Sequence, residues 1–154
     1  MDISQNTDIL DKGERQKADN VSGLLGESGF REYMNQLDTP LETGYLLRIG
    51  IDHFKEINDN FGQEYGDFVL KKTAECISGC TSEGQKVYKL VADEFLILDV
   101  SSDEAKDADK LYDKVREAID RFIETNEFKV MYTVSGGIVP FAALKGNQYA
   151  EALK

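Results

Sequence analysis

Two short segments of this 154-residue chain combine residue types that handle phosphate and metal. The first, Asp52-His53-Phe54-Lys55-Glu56-Ile57-Asn58-Asp59, follows the apolar run Tyr45 to Ile51. A strand that feeds a helix N-terminus offers unpaired backbone amides and the positive end of the helix dipole, which suits a phosphate. Lys55 in that first turn adds a cation, although its charge there opposes the dipole. The plainer reading makes Asp52 a helix N-cap and Lys55 a solvated side chain. The second segment, Val91-Ala92-Asp93-Glu94-Phe95, places adjacent carboxylates in a tight connection between apolar strands. Two carboxylates at such a junction can hold Mg²⁺, which takes oxygen ligands and substrate phosphates. Acidic turn residues are more often simply solvated, so each segment alone is a weak signal.

The elements that must position them follow from hydrophobic spacing. Phe30, Tyr33, Met34 and Leu37 recur at i, i+3, i+4 and i+7, which predicts a helix that Ser28 caps and Thr39-Pro40 closes. Asp19 to Gly29, with three glycines, reads as a loop. Tyr45 to Ile51 reads as a strand. Phe54, Ile57 and Phe61 make a helical stripe that Gly62 ends. A second helix capped by Asp67 carries Phe68, Leu70, Ala74 and Ile77, and Gly79 ends it. Val87 to Leu90 and Phe95 to Val100 are strands. Ala108, Leu111, Tyr112, Val115, Ile119, Phe122 and Ile123 form the clearest amphipathic helix, and Lys129 to Val139 alternates as a last strand containing Gly136-Gly137. The order is a helix followed by β-α-α-β-β-α-β. It implies a ferredoxin-like βαββαβ core of the α/β (α+β) class, with a mainly antiparallel central sheet flanked by helices. That architecture does not by itself give a function.

Composition narrows the partners. Hydrophobic residues make up 41% and charged residues 31%, as in a folded globular domain. Eighteen Lys plus Arg against 29 Asp plus Glu leave a net charge of −11. A field of that sign repels a phosphate backbone, so no nucleic-acid partner is expected. No apolar run approaches the roughly 20 residues of a membrane span, and a cytoplasmic location without membrane contact is expected. Cys76 and Cys80 sit four apart, with His53 the only histidine. They are expected to be free thiols, since a zinc site takes about four ligands. Residues 1–20 read as a polar linker or helical lead-in and 21–154 as one domain.

Taken together, the two segments and their spacing resemble the GGDEF family. The resemblance starts at Asp19-x-Val21-Ser22-Gly23-Leu24 and runs through Asp52-His53-Phe54-Lys55-x-Ile57-Asn58-Asp59 and Gly66-Asp67. It then takes in Ala92-Asp93-Glu94-Phe95 and ends at Ser135-Gly136-Gly137-Ile138. Members are bacterial diguanylate cyclases, which condense two GTP molecules into cyclic di-GMP with two domains facing each other. By resemblance, Asn58 and Asp67 hydrogen-bond the guanine base, Lys55 contacts the GTP phosphates, and backbone amides around His53 and Phe54 assist. Lys89 stands where the family usually has an arginine near the nucleotide, and keeps the charge without the bidentate fork. Asp93 and Ile51 match positions at the Mg²⁺, and Asp93 and Glu94 match the catalytic acids. The last helix, beginning near Gln148, resembles one that continues further in the family, so the domain is expected to be truncated within it.

The departures concern catalysis. Gly50 stands where the family has a metal-binding aspartate, so one hard anionic ligand is missing. Val91-Ala92 replace two glycines, at roughly 1–2 kcal/mol per residue wherever the turn needs a positive φ. Ser82-Glu83-Gly84-Gln85 stand where many members carry an inhibitory product site. The resemblance therefore implies a degenerate domain that binds GTP or GDP over a weakened Mg²⁺ site and makes little or no cyclic di-GMP. Such a domain is expected to regulate an adjoining EAL phosphodiesterase domain, with a sensor domain or a second copy of the chain, as a homodimer, as further partners. An active cyclase and a nucleotide-free interaction scaffold are the alternatives.

Overall fold

The structure, a computed structural model, describes residues 18–36, 44–100, 105–125 and 131–140. In chain order the elements are β1 (Leu25–Gly26), α1 (Glu27–Asn35), β2 (Tyr45–Ile51), α2 (Phe54–Phe61) and α3 (Gln63–Cys80). They continue with β3 (Gln85–Lys89), β4 (Glu94–Asp99), α4 (Ala105–Thr125) and β5 (Val134–Pro140). The sheet order is β1-β3-β4-β2-β5, antiparallel at every pair except β1 with β3. The β3–β4 hairpin inserts β4 between β2 and β3, which is the split arrangement that the order of elements implies. Among the described residues, no helix is long and apolar enough to cross a membrane.

Side chains of a strand alternate between its two faces, so β2 and β4 each serve two layers. Tyr45, Leu47, Ile49 and Ile51, with Phe95 and Ile97, pack against Ile57 of α2, Val69 and Ile77 of α3, and Val115 and Ile119 of α4. Leu46, Leu96 and Leu98 face the other way and pack with Tyr88 and Phe30 of α1. The smaller layer stops at Leu46 on β2. Beyond it on the same face come Arg48 and Gly50.

Four local expectations need correction. β1 lies within the stretch read as a loop; two residues paired to Tyr88 and Lys89 carry no period of their own. Helix α1 begins at Glu27 with Gly26 as its N-cap, so Ser28 lies in its first turn and caps nothing. Helix α3 begins at Gln63 and runs to Cys80, one residue past Gly79. Asp67 is thus within the helix, and Gly62 at φ +92° both ends α2 and precedes α3. A conformation at that φ favours glycine over any residue with a Cβ. His53, not Asp52, is the N-cap of α2. Residues 1–17, Leu37, Thr39-Pro40, Lys129 and the helix near Gln148 fall outside the described residues. Cys76 and Cys80 are free. Burial pushes the Cys76 thiol up to about 11, which makes it a poor nucleophile at neutral pH.

Candidate functional site

Register builds a cleft at one end of the sheet. Gly50 lies opposite Glu94 of β4 and Ser135 of β5, and Arg48 lies opposite Leu96 and Gly137. Gly50 of β2 and Gly137 of β5 bring no side chain, so the sheet surface is low here, and a Cβ at Gly137 would meet nothing within 4 Å. The result is a cleft of about 470 Å³ whose lining includes Arg48, Gly50, Ile51, Asp52, Asp93 and Glu94. Gly136, on the opposite face, is a close approach: a Cβ there would lie 3.0 Å from the Arg48 carbonyl and from the Tyr112 ring.

Each charged group of the cleft is held differently. Asp52 accepts hydrogen bonds from the Thr133 and Ser135 hydroxyls, both at 2.7 Å, and its amide donates to the Thr133 carbonyl at 2.9 Å. The hydroxyls of Ser135 and Thr133 hold the Asp52 carboxyl below its usual range. Glu94 forms an ion pair with the Arg48 guanidinium. Asp93 sits between them in sequence and anchors the turn, its carbonyl accepting from the Ile51 amide at 3.3 Å. Ala92 takes the left-handed φ of +63°, while Val91 is not among the positive-φ residues. The conformational cost of losing two glycines therefore falls on Ala92 alone, and Val91 is 75% exposed.

Lys89 lies behind this turn, not over it. Its side chain is buried, and its ammonium donates to the Leu90 carbonyl at 2.7 Å and to the Ala92 carbonyl. Burial pushes its pKa down, opposed by Asp19, Asp93 and Glu94. The remaining predicted residues surround α2. His53 adopts the left-handed conformation at φ +57° with an exposed ring, Phe54 packs against the larger core layer, and Lys55 is exposed. Asn58 and Asp67 are half-buried on either side of the Gly62 elbow. The Asn58 Oδ1 is buried without a hydrogen-bond partner. It fits only because position 66 is glycine: a Cβ there would lie 1.7 Å from that oxygen.

The family comparison settles the lineage. Residues 17–154 match the family model described as "Diguanylate cyclase, GGDEF domain". The chain belongs to the GGDEF family. Diguanylate cyclase A of Treponema denticola is 31% identical over 98 residues, which is 63% of this chain and 26% of that protein. The chain thus spans about a quarter of that relative's length. The GGDEF domain of PA1120 (TpbB or YfiN) from Pseudomonas aeruginosa is 27% identical with a TM-score of 0.66, over 80% of this chain and 75% of that one. The Vibrio cholerae LapD S helix-GGDEF-EAL structure shares the fold, with 17% identity and a TM-score of 0.73, over 97% of this chain and 35% of that one.

This GGDEF domain therefore brings Ile51, Asp52, Asp93 and Glu94 to one cleft, puts Asn58 and Asp67 at the α2–α3 elbow, and sends Lys89 to the back of the signature turn. Family cyclases use Mg²⁺, and the residues present here do not make a full site for it. Among the described residues, no three His, Cys, Asp or Glu side chains group so as to hold a metal ion. Gly50 supplies no carboxylate, and Glu94 is already engaged by a cation. Sequence reasoning gave no role to Arg48 or Thr133, and it quoted Gly66 and Ser135 only as positions that carry the resemblance. An arginine inside an apolar strand run, two positions before Gly50 and so on its face, was the available signal for the first.

Asp52 gives a pH prediction. Its pKa is lower folded than unfolded, so its contribution to stability is present at neutral pH. It is lost as the pH falls below about 4, the unfolded value, and on through the folded one. Urea midpoints at pH 7 and pH 3 should fall further apart for the parent than for Asp52→Asn. Equal spacing of the midpoints would mean that the two hydroxyls add nothing to the carboxylate.

Proposed function

We propose that this GGDEF domain is a guanine-nucleotide-binding regulatory module with little or no diguanylate cyclase activity. The ion pair of Glu94 with Arg48, directly beside the bare Gly50, carries this reading. Phosphoryl transfer is mostly positioning and charge neutralisation by metal and cationic groups. A cleft that lacks one metal-binding carboxylate and has committed one of its two signature acids, Glu94, to a guanidinium is poor in both. The residues for base recognition are kept: Asn58 offers an amide and Asp67 a carboxylate, and a carboxylate accepting from guanine N–H groups disfavours adenine. Lys55, exposed on the first turn of α2, meets the phosphates together with the amides that follow His53.

In this reading the Mg²⁺ site is weakened, and occupancy by GTP or GDP is the signal passed to a neighbouring domain. An EAL phosphodiesterase domain is the favoured recipient, by likeness to the GGDEF-EAL arrangement of the LapD structure. A homodimer is the other route for the signal.

Calorimetric titration of GTP, with ATP as the control, tests the binding. Guanine-selective affinity in the micromolar range, alongside no accumulation of cyclic di-GMP, is the expected result. Robust cyclic di-GMP synthesis would overturn the regulatory reading. Absence of any nucleotide affinity in a folded protein would move the assignment to an interaction scaffold.

A further inference from the structure

The cleft holds four charged side chains, and their partners are unequal. Asp52 is turned to β5 by two hydroxyl hydrogen bonds. Arg48 and Glu94 are paired. Asp93 alone presents a carboxylate with no hydrogen bond or ion pair among the described residues. Arg48 reaches Glu94 along a diagonal of the β2–β4 ladder, since Arg48 stands opposite Leu96 and Glu94 opposite Gly50. Diagonal neighbours in an antiparallel pair are within reach of long side chains. The diagonal is open because Gly50 has no side chain; a Cβ there would stand 3.8 Å from both the Asp93 Oδ2 and the Glu94 Cγ. A carboxylate at position 50 would therefore face Asp93 and Glu94, of which Arg48 now neutralises Glu94.

We propose that Arg48 is a resident counter-ion that keeps divalent metal out of this cleft, so that Asp93 and Glu94 bind a divalent cation only when the guanidinium is removed. The proposal deepens the regulatory reading above and rests on the same site. A divalent ion drawn to Glu94 meets a fixed positive charge on that carboxylate, which it must displace or tolerate. Asp93 on its own gives Mg²⁺ one ligand, and Mg²⁺ sheds its water reluctantly without several carboxylates or phosphates. The guanidinium remains charged at any working pH and is more weakly hydrated than an ammonium, which suits a lasting pair with a carboxylate at this depth.

Titration with Mn²⁺ alone, without nucleotide, separates this proposal from the nucleotide reading, which stands or falls on the GTP titration. The parent should bind Mn²⁺ no better than an unspecific acidic surface. Arg48→Gln should bind roughly tenfold or more tightly, because two like charges no longer meet. Arg48→Lys, which keeps the charge, should stay with the parent. Glu94→Gln, which keeps the guanidinium, should show no gain, and this variant serves the test should Arg48→Gln fail to fold. Equal Mn²⁺ affinity of the parent and Arg48→Gln, or a gain in Glu94→Gln, overturns the proposal.

Discussion

Gly66→Ala is expected to remove most of the guanine-nucleotide affinity while leaving the domain folded. The new Cβ would fall 1.7 Å from the Asn58 Oδ1 and 2.8 Å from its Cγ, so one of the two must move. Asn58 is the part that can: its carboxamide is the far end of a rotatable side chain, whereas Gly66 belongs to helix α3. Swinging outward, Asn58 loses its seat and its oxygen reaches water, which removes a buried unpaired acceptor. Alanine is also favoured over glycine within a helix by about 1 kcal/mol, so stability should change by less than about 1 kcal/mol in either direction. The hydrogen bonds lost to the base are worth roughly 1–3 kcal/mol, or about fivefold to 150-fold in Kd. Asn58→Ala should lose the same amount, and the double variant no more than either, since both act through one side chain. Paired GTP titrations and urea curves for the three variants read this out. Full additivity of the two losses would show that Gly66 acts on something other than Asn58.

Phe95→Ala should bring a large loss of stability, about 3–5 kcal/mol. The ring is fully buried, stands opposite Ile49 on one side and Lys89 on the other, and has the Lys89 ammonium 6.0 Å from its centroid. A domain of ordinary stability has only about 5–15 kcal/mol in all, so the variant should sit near its unfolding threshold at room temperature. Phe95→Leu fills most of the space and should lose roughly 1–2 kcal/mol. Denaturant unfolding of both variants measures the difference. A loss under about 1 kcal/mol for the alanine variant would mean that the signature's aromatic residue is not what anchors Asp93 and Glu94 to the core.

The parts of this molecule legible in its sequence are those with a long, regular period. The stripe along α4 placed Ala108, Leu111, Val115 and Ile119 in the core, where all four are buried. The apolar run of β2 and the order of elements gave the sheet. The helix starts were misread because α1 and α3 begin after glycines, with no capping side chain to announce them. Asp67 looked like a cap for its residue type alone. The cleft was half legible. Asp93 and Glu94 stood out as adjacent acids and Gly50 as a departure from the family. The partner of Glu94 depends on which residue of β2 lies diagonal to it across the ladder, and strand register is not written in either strand alone. Lys89 shows the same limit: nothing in its position two residues before the signature announces that its ammonium ties two carbonyls of the turn's own backbone.

The alternation along β2 also fixes its register energetically. Tyr45, Leu47, Ile49 and Ile51 are each at most 3% exposed, while Arg48 and Gly50 share the opposite face. Moving β2 by one residue against its neighbours exchanges the faces of every side chain. The guanidinium would then enter the layer beneath three helices, Ile49 would turn toward water, and Glu94 would lose its cation. A charge stranded in an apolar layer is among the costliest single errors a chain can make. The arginine that marks the cleft thereby also penalises a slipped sheet, whether or not any ligand is present.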